Sequence, residues 1–292
     1  MSDAPQVGII GLGLAGKALA KRFLAADPGL LGYDIDPAAM EAAQGLGVTT
    51  ADDPRQLAST CGIVVLSLLS PPVIHDVLWG ARGIASACHA GTIILDTSTT
   101  DPAETEAHAR RLGEMGLRFV DVCLVGPSDM LARGEALALV GALEADAAPF
   151  LSILRAISDT RFFLGKPGAG NSAKLAVNLV QGLNRLALAE GLTLGGKSGL
   201  DPAQLLAVFK ASAAYSRVMD IKGQRMLDGD YQPAARLAQH AKDVDLIREV
   251  ARRLGARTPL SEVHATVLGQ AIAAGWGDLD NSAVMKVYQK LE

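Results

Sequence analysis

The first half of the sequence alternates short apolar runs with longer alanine-rich stretches, and this alternation restricts the fold more than any other feature. The apolar runs predict β-strands over residues 6–10, 30–34, 62–69, 92–98, 118–122, 136–141 and 161–165. Stretches between several of them predict helices over residues 14–26, 37–44, 101–113 and 146–157. The run GIVVLSLL at 62–69 is typical of a strand buried on both faces. We therefore expect a doubly wound parallel sheet with helices on both faces.

The strand pattern stops near residue 165, and helical patterns follow almost without a break. They cover residues 170–198, 202–211, 214–228, 234–254, 260–275 and 281–290. The composition changes at the segment GKPG, residues 165–168, which is the best candidate for a domain boundary. We therefore expect an α/β domain over residues 1–165 and an all-α domain over residues 166–292, joined by one long helix.

Composition and charge exclude several functional classes. A net charge of −4 without a basic run gives no electrostatic reason to expect binding to nucleic acid or to an anionic membrane. No apolar stretch approaches the ~20 residues that span a bilayer, and the start MSDAPQVGII lacks the features of a signal peptide. Three cysteines without CxxC spacing and five histidines without HxxxH spacing predict no metal site. We expect a cytoplasmic protein.

A glycine-rich loop follows the first predicted strand and opens the first helix. It reads Gly11-Leu12-Gly13-Leu14-Ala15-Gly16, which matches the pattern GxGxxG in the context that gives the pattern meaning. The first glycine permits a tight turn, the second lets the backbone approach a pyrophosphate, and the third allows the helix to pack closely on the strand. The N–H groups at the helix start then face the phosphates. The loop predicts a dinucleotide-binding domain of the Rossmann type.

An acidic residue, Asp34, ends the second predicted strand and is followed by Ile35. A carboxylate about 20 residues after the glycines accepts hydrogen bonds from a ribose and repels a 2′-phosphate. No arginine lies beside it to bind that phosphate, so we expect NAD rather than NADP. The alternative is that Asp34 only caps the next helix, although Asp36 before Pro37 is the better cap.

A lysine interrupts the apolar segment GAGNSAKLAVNLV, residues 168–180. On a helix, Asn171, Lys174 and Asn178 fall on one stripe, and leucines fall opposite. The stripe is either a solvated face or one side of a cleft in which Lys174 does chemistry. Periodicity alone leaves both interpretations open.

Five separated motifs occur in a characteristic order, at residues 11–16, 68–72, 96–102, 168–178 and 242–246. With them the chain resembles, over nearly its whole length, the β-hydroxyacid dehydrogenase family. This family includes 3-hydroxyisobutyrate dehydrogenase and tartronate semialdehyde reductase, and is related to 6-phosphogluconate dehydrogenase. The resemblance implies an NAD(H)-dependent enzyme that interconverts a small β-hydroxy acid, or a related alcohol, and its semialdehyde by hydride transfer.

The resemblance also implies roles for individual residues. Lys174 matches the catalytic lysine, the general acid and base, and Asn178 matches the asparagine that orients it or holds the substrate oxygen. Four residues of spacing place both on one helix face. The expected cofactor contacts beyond the glycine loop, Asp34 and Ile35 are Leu68, Leu69, Ser70, Ser98, Thr99 and Lys242. Capping of the following helix is the alternative role for Ser98 and Thr99, and ordinary surface charge is the alternative for Lys242.

The loop expected to bind the substrate departs from the family pattern. It reads Val125-Gly126-Pro127-Ser128, with valine where the family has serine and proline where it has glycine. A hydroxyl donor and a backbone N–H donor are thereby lost. A small carboxylate would be held less well, or through Gly126 and Ser128. Arg236 lies where it would add a cation near the cleft, although an exposed arginine is the commoner case.

These departures leave hydride chemistry intact but keep other functions open. The alternatives are an imine or altered-carbonyl reductase, and an NAD-binding sensor or scaffold that has lost catalysis. The helical second half is apolar and extended, so we expect it to pack between subunits of a homodimer or homotetramer, as the family resemblance also implies. The expected partner in either case is a small-molecule substrate.

Overall fold

The computed structural model describes residues 6–27 and 29–289. The chain divides into two compact units, one that ends at Lys174 and one that begins at Leu175. The last residue of the helix predicted over 281–290 lies outside the described residues.

The first unit contains an eight-stranded sheet with the order β3-β2-β1-β4-β5-β6-β7-β8. Its strands are β1 (Val7–Ile10), β2 (Leu31–Tyr33), β3 (Thr49–Thr50), β4 (Ile63–Leu66), β5 (Ile93–Asp96), β6 (Arg118–Val125), β7 (Leu137–Val140) and β8 (Thr160–Phe163). All neighbouring strands are parallel except β6 and β7, which are antiparallel. The strand order reverses at β1 and β4, and ligands of doubly wound sheets bind at such a point.

Helices connect these strands. They are α1 (Leu14–Ala26), α2 (Pro37–Gln44), α3 (Pro54–Thr60), α4 (Pro71–Trp79), α5 (Pro102–Glu114), α6 (Ser128–Arg133) and α7 (Leu151–Ile157). A proline at the first helical position needs no N–H partner, and an aspartate before it accepts a hydrogen bond from the first turn. Asp36, Asp53 and Asp101 cap α2, α3 and α5 in this way. Helix α8 (Ala169–Lys197) also begins in this unit.

The central strands are buried on both faces, as the sequence predicts. Adjacent residues of β4, Val64 and Val65, point to opposite faces, and both are 0% exposed. Val64 belongs to a cluster that also contains Ile74 of α4 and Leu112 of α5. Because no water reaches either face, polar groups that bind a ligand must lie where the strands end.

The second unit is helical in its described residues, apart from one isolated bridge between Arg236 and Asp280. After α8 it contains α9 (Pro202–Ala211), α10 (Gln224–Asp228), α11 (Leu237–Leu254), α12 (Pro259–Ala273) and α13 (Met285–Gln289). A π-helical turn, Met219–Gly223, leads directly into α10, so the helix predicted over 214–228 is present from residue 217 to 228 with this turn inside it. No described helix is long and apolar enough to cross a membrane.

The structure differs from the sequence prediction mainly in short elements. Strand β3 and helices α3, α4 and α6 have two to nine residues, too few to show a clear period. Strand β6 continues three residues past its predicted end, to Val125, because β7 pairs with that extension in the antiparallel sense.

Two buried histidines make the stability of the fold depend on pH. Burial, together with the charges of His75 and Arg111, lowers the pKa of His108 to about 4. Burial and the charge of Arg185 lower the pKa of His264 to about 4. Both side chains remain neutral in the folded state, whereas the unfolded chain binds protons near the ordinary pKa of about 6.5. The part of the stability that depends on these two histidines is therefore complete above pH ~6.5 and is lost as the pH decreases toward ~4.

We expect the urea midpoint to decrease over this pH range, and to decrease less in the double variant His108→Gln, His264→Gln. Glutamine does not titrate and still accepts the hydrogen bond that Trp79 Nε1 donates to His108. The full effect is up to about 3 kcal/mol per histidine. The matched control is His89→Gln at an exposed histidine. Equal pH slopes in the double variant and the wild type would contradict the assignment.

Candidate active site

The residues predicted to bind the cofactor in the first unit lie along one edge of the sheet. The strands β1, β2, β4, β5 and β6 are mutually parallel, so their carboxyl ends meet at that edge. The segments that follow these ends begin at Gly11, Asp34, Ser67, Thr97 and Gly126. The topology therefore brings together five loops that are far apart in sequence.

The glycine loop has two glycines fixed by packing and one that faces open space. Gly11 has a φ of +96°, and a Cβ there would lie 2.2 Å from Ser67 O. A Cβ at Gly16 would lie 1.9 Å from Gly11 O. Around Gly13, by contrast, no described atom outside its neighbours and the helix lies within 4 Å of such a Cβ. Gly13 and Leu14 are exposed at the start of α1, and Ala15 is half-buried, so this surface fits a pyrophosphate.

Asp34 connects the second strand to the glycine loop. Its Oδ2 accepts a hydrogen bond from Leu12 N at 2.6 Å, and its Oδ1 accepts one from Asp36 N at 2.9 Å. The cap of α2 is Asp36, so Asp34 does not serve as that cap. The Leu12 side chain is in the core, 0% exposed, whereas Ile35 is 85% exposed beside Asp34. Asp34 thus supplies a half-buried carboxylate at the place where a ribose is expected.

The ends of β4 and β5 are tied together by Ser98. Its Oγ accepts a hydrogen bond from Leu68 N at 2.9 Å. Asp101 caps α5, so Ser98 is not the cap. Leu69 is exposed, while Ser70 and Thr99 are half-buried. The loops after β4 and β5, which carry the predicted contacts of the nicotinamide side, are therefore joined by a hydrogen bond at the edge of the sheet.

The predicted substrate loop begins where β6 ends. Val125 is the last residue of β6 and its side chain is buried. Gly126 is exposed, Pro127 precedes α6, and Ser128 begins that helix. Of this loop, Gly126 and the half-buried Pro127 and Ser128 reach the surface.

Lys174 reaches the end of the same strand. Its Nζ donates a hydrogen bond of 2.6 Å to Leu124 O, one residue before Val125, and the side chain is partly buried. The solvated-face interpretation of this lysine is therefore wrong, because the amine lies against β6. The lysine stands beside the altered loop and one strand away from the loop of Ser98.

Two residues near the start of α8 were not predicted as site residues. Asp121 of β6 accepts hydrogen bonds from Gly168 N and Asn171 N, at 2.9 and 2.8 Å. Burial raises the pKa of Asp121, and the backbone N–H groups of Gly168, Asn171 and Gly170 oppose that rise. The signals in the sequence were an acidic residue within the apolar run RFVDV and the position of Asn171 on the same helical stripe as Lys174.

In the second unit, Asn178 and Lys242 meet at a common partner. Asn178 Nδ2 donates a hydrogen bond of 2.9 Å to Asp243 Oδ2, and Lys242 Nζ lies 3.1 Å from Asp243 Oδ1. Asn178 and Asp243 are buried, and Lys242 is half-buried. Lys242 is therefore part of an organised polar group rather than a solitary surface charge.

Arg236 is exposed in the second unit. The preceding residues, Ala234 and Ala235, donate backbone hydrogen bonds to the buried carboxylate of Asp280. This carboxylate also accepts two bonds from Lys222 Nζ, at 2.7 and 2.9 Å. The backbone before Arg236 is thus fixed by a buried ion pair, and its guanidinium remains available to solvent.

Comparison with known families agrees with this geometry. Residues 6–165 match the model described as the NAD binding domain of 6-phosphogluconate dehydrogenase. Residues 168–288 match the model described as NAD-binding of NADP-dependent 3-hydroxyisobutyrate dehydrogenase. The chain belongs to the β-hydroxyacid dehydrogenase family. As a member of this family it is an NAD(P)-dependent oxidoreductase that acts on the hydroxyl group of β-hydroxy acids.

Individual family members resemble the chain over its full length. The 2-(hydroxymethyl)glutarate dehydrogenase of Eubacterium barkeri is 29% identical over 292 residues, which cover 100% of this chain and 97% of that protein. The L-threonate dehydrogenase of Cupriavidus necator is 30% identical, with 98% and 97% covered. The crystal structure of a 3-hydroxyisobutyrate dehydrogenase from Salmonella typhimurium superimposes with a TM-score of 0.86 at 27% identity, covering 96% of this chain and 99% of that one.

Within residues 6–27 and 29–289, no group of three or more histidine, cysteine, aspartate or glutamate residues is arranged to hold a metal ion. The family chemistry needs only a dinucleotide and a proton-transferring group.

The glycine loop yields a paired prediction for this family member. We expect Gly16→Ala to lower the melting temperature by several degrees, because its Cβ would overlap Gly11 O. Gly13→Ala should leave the melting temperature within about one degree but weaken NADH binding about tenfold, because its methyl group enters the space proposed for the pyrophosphate. Differential scanning fluorimetry and NADH fluorescence titration measure the two effects. An unchanged NADH affinity in Gly13→Ala would refute the placement of the cofactor.

Proposed function

We propose that this protein is an NAD-preferring dehydrogenase that interconverts a small β-hydroxy acid and its semialdehyde, with Lys174 as the general acid and base. The observation that carries the proposal is the position of the Lys174 amine. It is held at 2.6 Å from Leu124 O, at the sheet edge that also carries the glycine loop, Asp34 and Ser98. Membership of the family supplies the reaction class.

The bound nicotinamide would accept or return the hydride, and the protein handles the proton. In the oxidation direction, the neutral Lys174 amine takes the hydroxyl proton as the hydride leaves the adjacent carbon. In the reduction direction, the ammonium returns that proton to the carbonyl oxygen. Leu124 O accepts one N–H of the amine and so restricts its rotation. This restraint holds the amine at the end of β6, where the substrate oxygen is proposed to bind.

Asn178 and Lys242 are assigned supporting roles. Asn178 Nδ2 donates one N–H to Asp243, and this hydrogen bond fixes the plane of the Asn178 amide. The other N–H and the amide oxygen are then presented in a defined direction and hold the substrate oxygen. Lys242, which forms an ion pair with Asp243, is assigned as a cofactor contact from the family resemblance.

The substrate is assigned from the loop after β6 and from the relatives. The dehydrogenases of Eubacterium barkeri and Cupriavidus necator act on 2-(hydroxymethyl)glutarate and L-threonate, both hydroxy acids. The carboxylate of the substrate binds to Gly126 and Ser128, because the Val125 side chain is buried and Pro127 has no N–H. Arg236, which is exposed, is the candidate anchor for a second acidic group. The homodimeric or homotetrameric state remains a prediction from the sequence.

A panel of hydroxy acids, semialdehydes and imines, followed by NADH absorbance, identifies the substrate and provides the assay for Lys174. We expect Lys174→Met to lower kcat by about 10²–10⁴-fold, the usual contribution of general acid–base catalysis. Methionine keeps the length and apolar body of the side chain but transfers no proton. The matched control is Lys166→Met, at an exposed lysine paired with Glu106, which should keep wild-type kcat. A Lys174→Met enzyme within about tenfold of wild type would show that another group moves the proton.

The cofactor preference provides a separate prediction. We expect kcat/KM for NAD to exceed that for NADP by at least about tenfold, because Asp34 repels the 2′-phosphate. Asp34→Asn should narrow the ratio, since it removes the negative charge while its amide oxygen keeps one of the two main-chain hydrogen bonds, from Leu12 N or from Asp36 N. The matched control is Asp53→Asn at the cap of α3, which should leave the ratio unchanged. A wild-type enzyme that prefers NADP would overturn the role given to Asp34.

A further inference from the structure

Asp121 is a carboxylate inside the first unit that the proton and hydride chemistry does not use. It lies on β6 and is 0% exposed. A carboxylate without partners at such a position would be strongly unfavourable. Instead, its Oδ1 accepts a hydrogen bond from Gly168 N at 2.9 Å, and its Oδ2 accepts one from Asn171 N at 2.8 Å. Both donors are main-chain groups at the start of α8, where an α-helix has unpaired N–H groups and a partial positive charge.

The surrounding backbone is shaped around this carboxylate. A Cβ at Gly141 would lie 1.9 Å from Asp121 Oδ1, and a Cβ at Gly170 would lie 2.8 Å from Asp121 Oδ2. Gly141 also donates its backbone N–H to Asp121 O at 2.8 Å. Because Gly141 and Gly170 have no side chains, the main chain can lie close to this carboxylate on two sides. Any larger residue at either position would overlap it.

Asn171 forms a second attachment on the same helical turn. Its side chain is 0% exposed. The Oδ1 atom accepts a hydrogen bond from Thr100 N at 2.8 Å, and Nδ2 donates one to Thr105 Oγ1 at 3.1 Å. Thr100 belongs to the loop that carries Ser98 and Thr99. The first turn of α8 is thus attached to β6 through Asp121 and to the loop after β5 through Asn171.

We propose that Asp121 and Asn171 are positioning residues for Lys174, which together fix the axial height and the rotation of the first turn of α8. Two short segments, residues 121–124 of β6 and 171–174 of α8, are bound to each other at both ends; we call this pair of segments the bracket. On β6, Asp121 binds the helix start and Leu124, three residues later, accepts the lysine N–H; on α8, Asn171 precedes Lys174 by three residues. A shift of the helix start would therefore move the amine relative to Leu124 O directly. This inference rests on the proposed role of Lys174.

The bracket requires a carboxylate rather than an amide at position 121. Both oxygens of Asp121 accept main-chain N–H bonds. In Asp121→Asn one of the two positions becomes an NH₂ group, which would face an N–H donor and lose that bond. The substitution preserves shape and volume, so it tests the hydrogen bonds without creating a cavity.

The experiment compares Asp121→Asn with Asp201→Asn. Asp201 accepts a hydrogen bond from Gln204 N at 2.7 Å at the cap of α9, so the control removes the same charge at another helix start. We expect Asp121→Asn to lower kcat by about 10–100-fold, part of the contribution of a correctly placed acid–base group. The primary deuterium isotope effect on kcat should increase. It is measured with the best hydroxy acid of the panel, deuterated at the carbon that loses hydride. The pH profile of kcat should also change, and NADH affinity should stay within about threefold of wild type because the glycine loop is untouched. Asp201→Asn should change none of these.

A purely structural role would lower the folded fraction but leave the isotope effect and pH profile of the folded enzyme at wild-type values, and that result would overturn the proposal. If Asp121→Asn does not fold, the isotope effect and the pH profile are measured in Asn171→Ala instead. This variant lacks the side-chain hydrogen bonds to Thr100 and Thr105 but keeps Asp121. Wild-type values in Asn171→Ala would then overturn the proposal. Activity in Lys174→Met would contradict the proposed function itself. An inactive Lys174→Met with a wild-type Asp121→Asn would contradict only the positioning role.

Discussion

Burial of the parallel sheet on both faces is the constraint on which the rest of the first unit depends. Neighbouring residues of β4, such as Val64 and Val65, are both excluded from water. A polar side chain in the middle of such a strand has no solvent to compensate it, so ligand chemistry is restricted to the strand ends. Asp121, inside β6, is fully buried all the same, and main-chain N–H groups bind its carboxylate in place of water. The sheet thus determines both where the site lies and which interior polar groups can exist.

Several residues at the sheet edge hold the scaffold together and are also predicted to contact the ligand. Asp34 accepts the N–H of Leu12 and is also the carboxylate proposed for the ribose. Ser98 accepts the N–H of Leu68, and the sequence predicts Ser98 and its neighbour Thr99 as cofactor contacts. A side chain that is already fixed by a hydrogen bond loses less conformational entropy when the ligand binds, and this favours binding. The double role of these residues also means that substitutions at these positions change loop geometry together with affinity.

The sequence predicted those parts of the structure that depend on local chemistry. Helices α1, α2 and α9 have the predicted bounds, since apolar periodicity and the Asp-Pro starts of α2 and α9 are local signals. The loop of Gly11 and Gly16 was recognisable for the same reason. The direction of β7 was not, because an apolar run does not encode whether a strand is parallel or antiparallel. The roles of Asp121 and Asn171 depend on contacts between residues 47 to 71 positions apart, which no local pattern shows.

The altered loop after β6 has fewer hydrogen-bond donors for a substrate carboxylate than the family pattern has. Valine in place of the family's serine suggests an apolar contact with the substrate, but the Val125 side chain is buried and pairs in the sheet with Leu137. The substitution therefore removes a donor without adding a contact. Pro127 removes a second donor, yet it suits the position before α6, where a fixed φ is tolerated. In the proposed function the carboxylate is bound through Gly126 and Ser128, so we expect discrimination among hydroxy acids to come from the rest of the substrate rather than from the carboxylate they share.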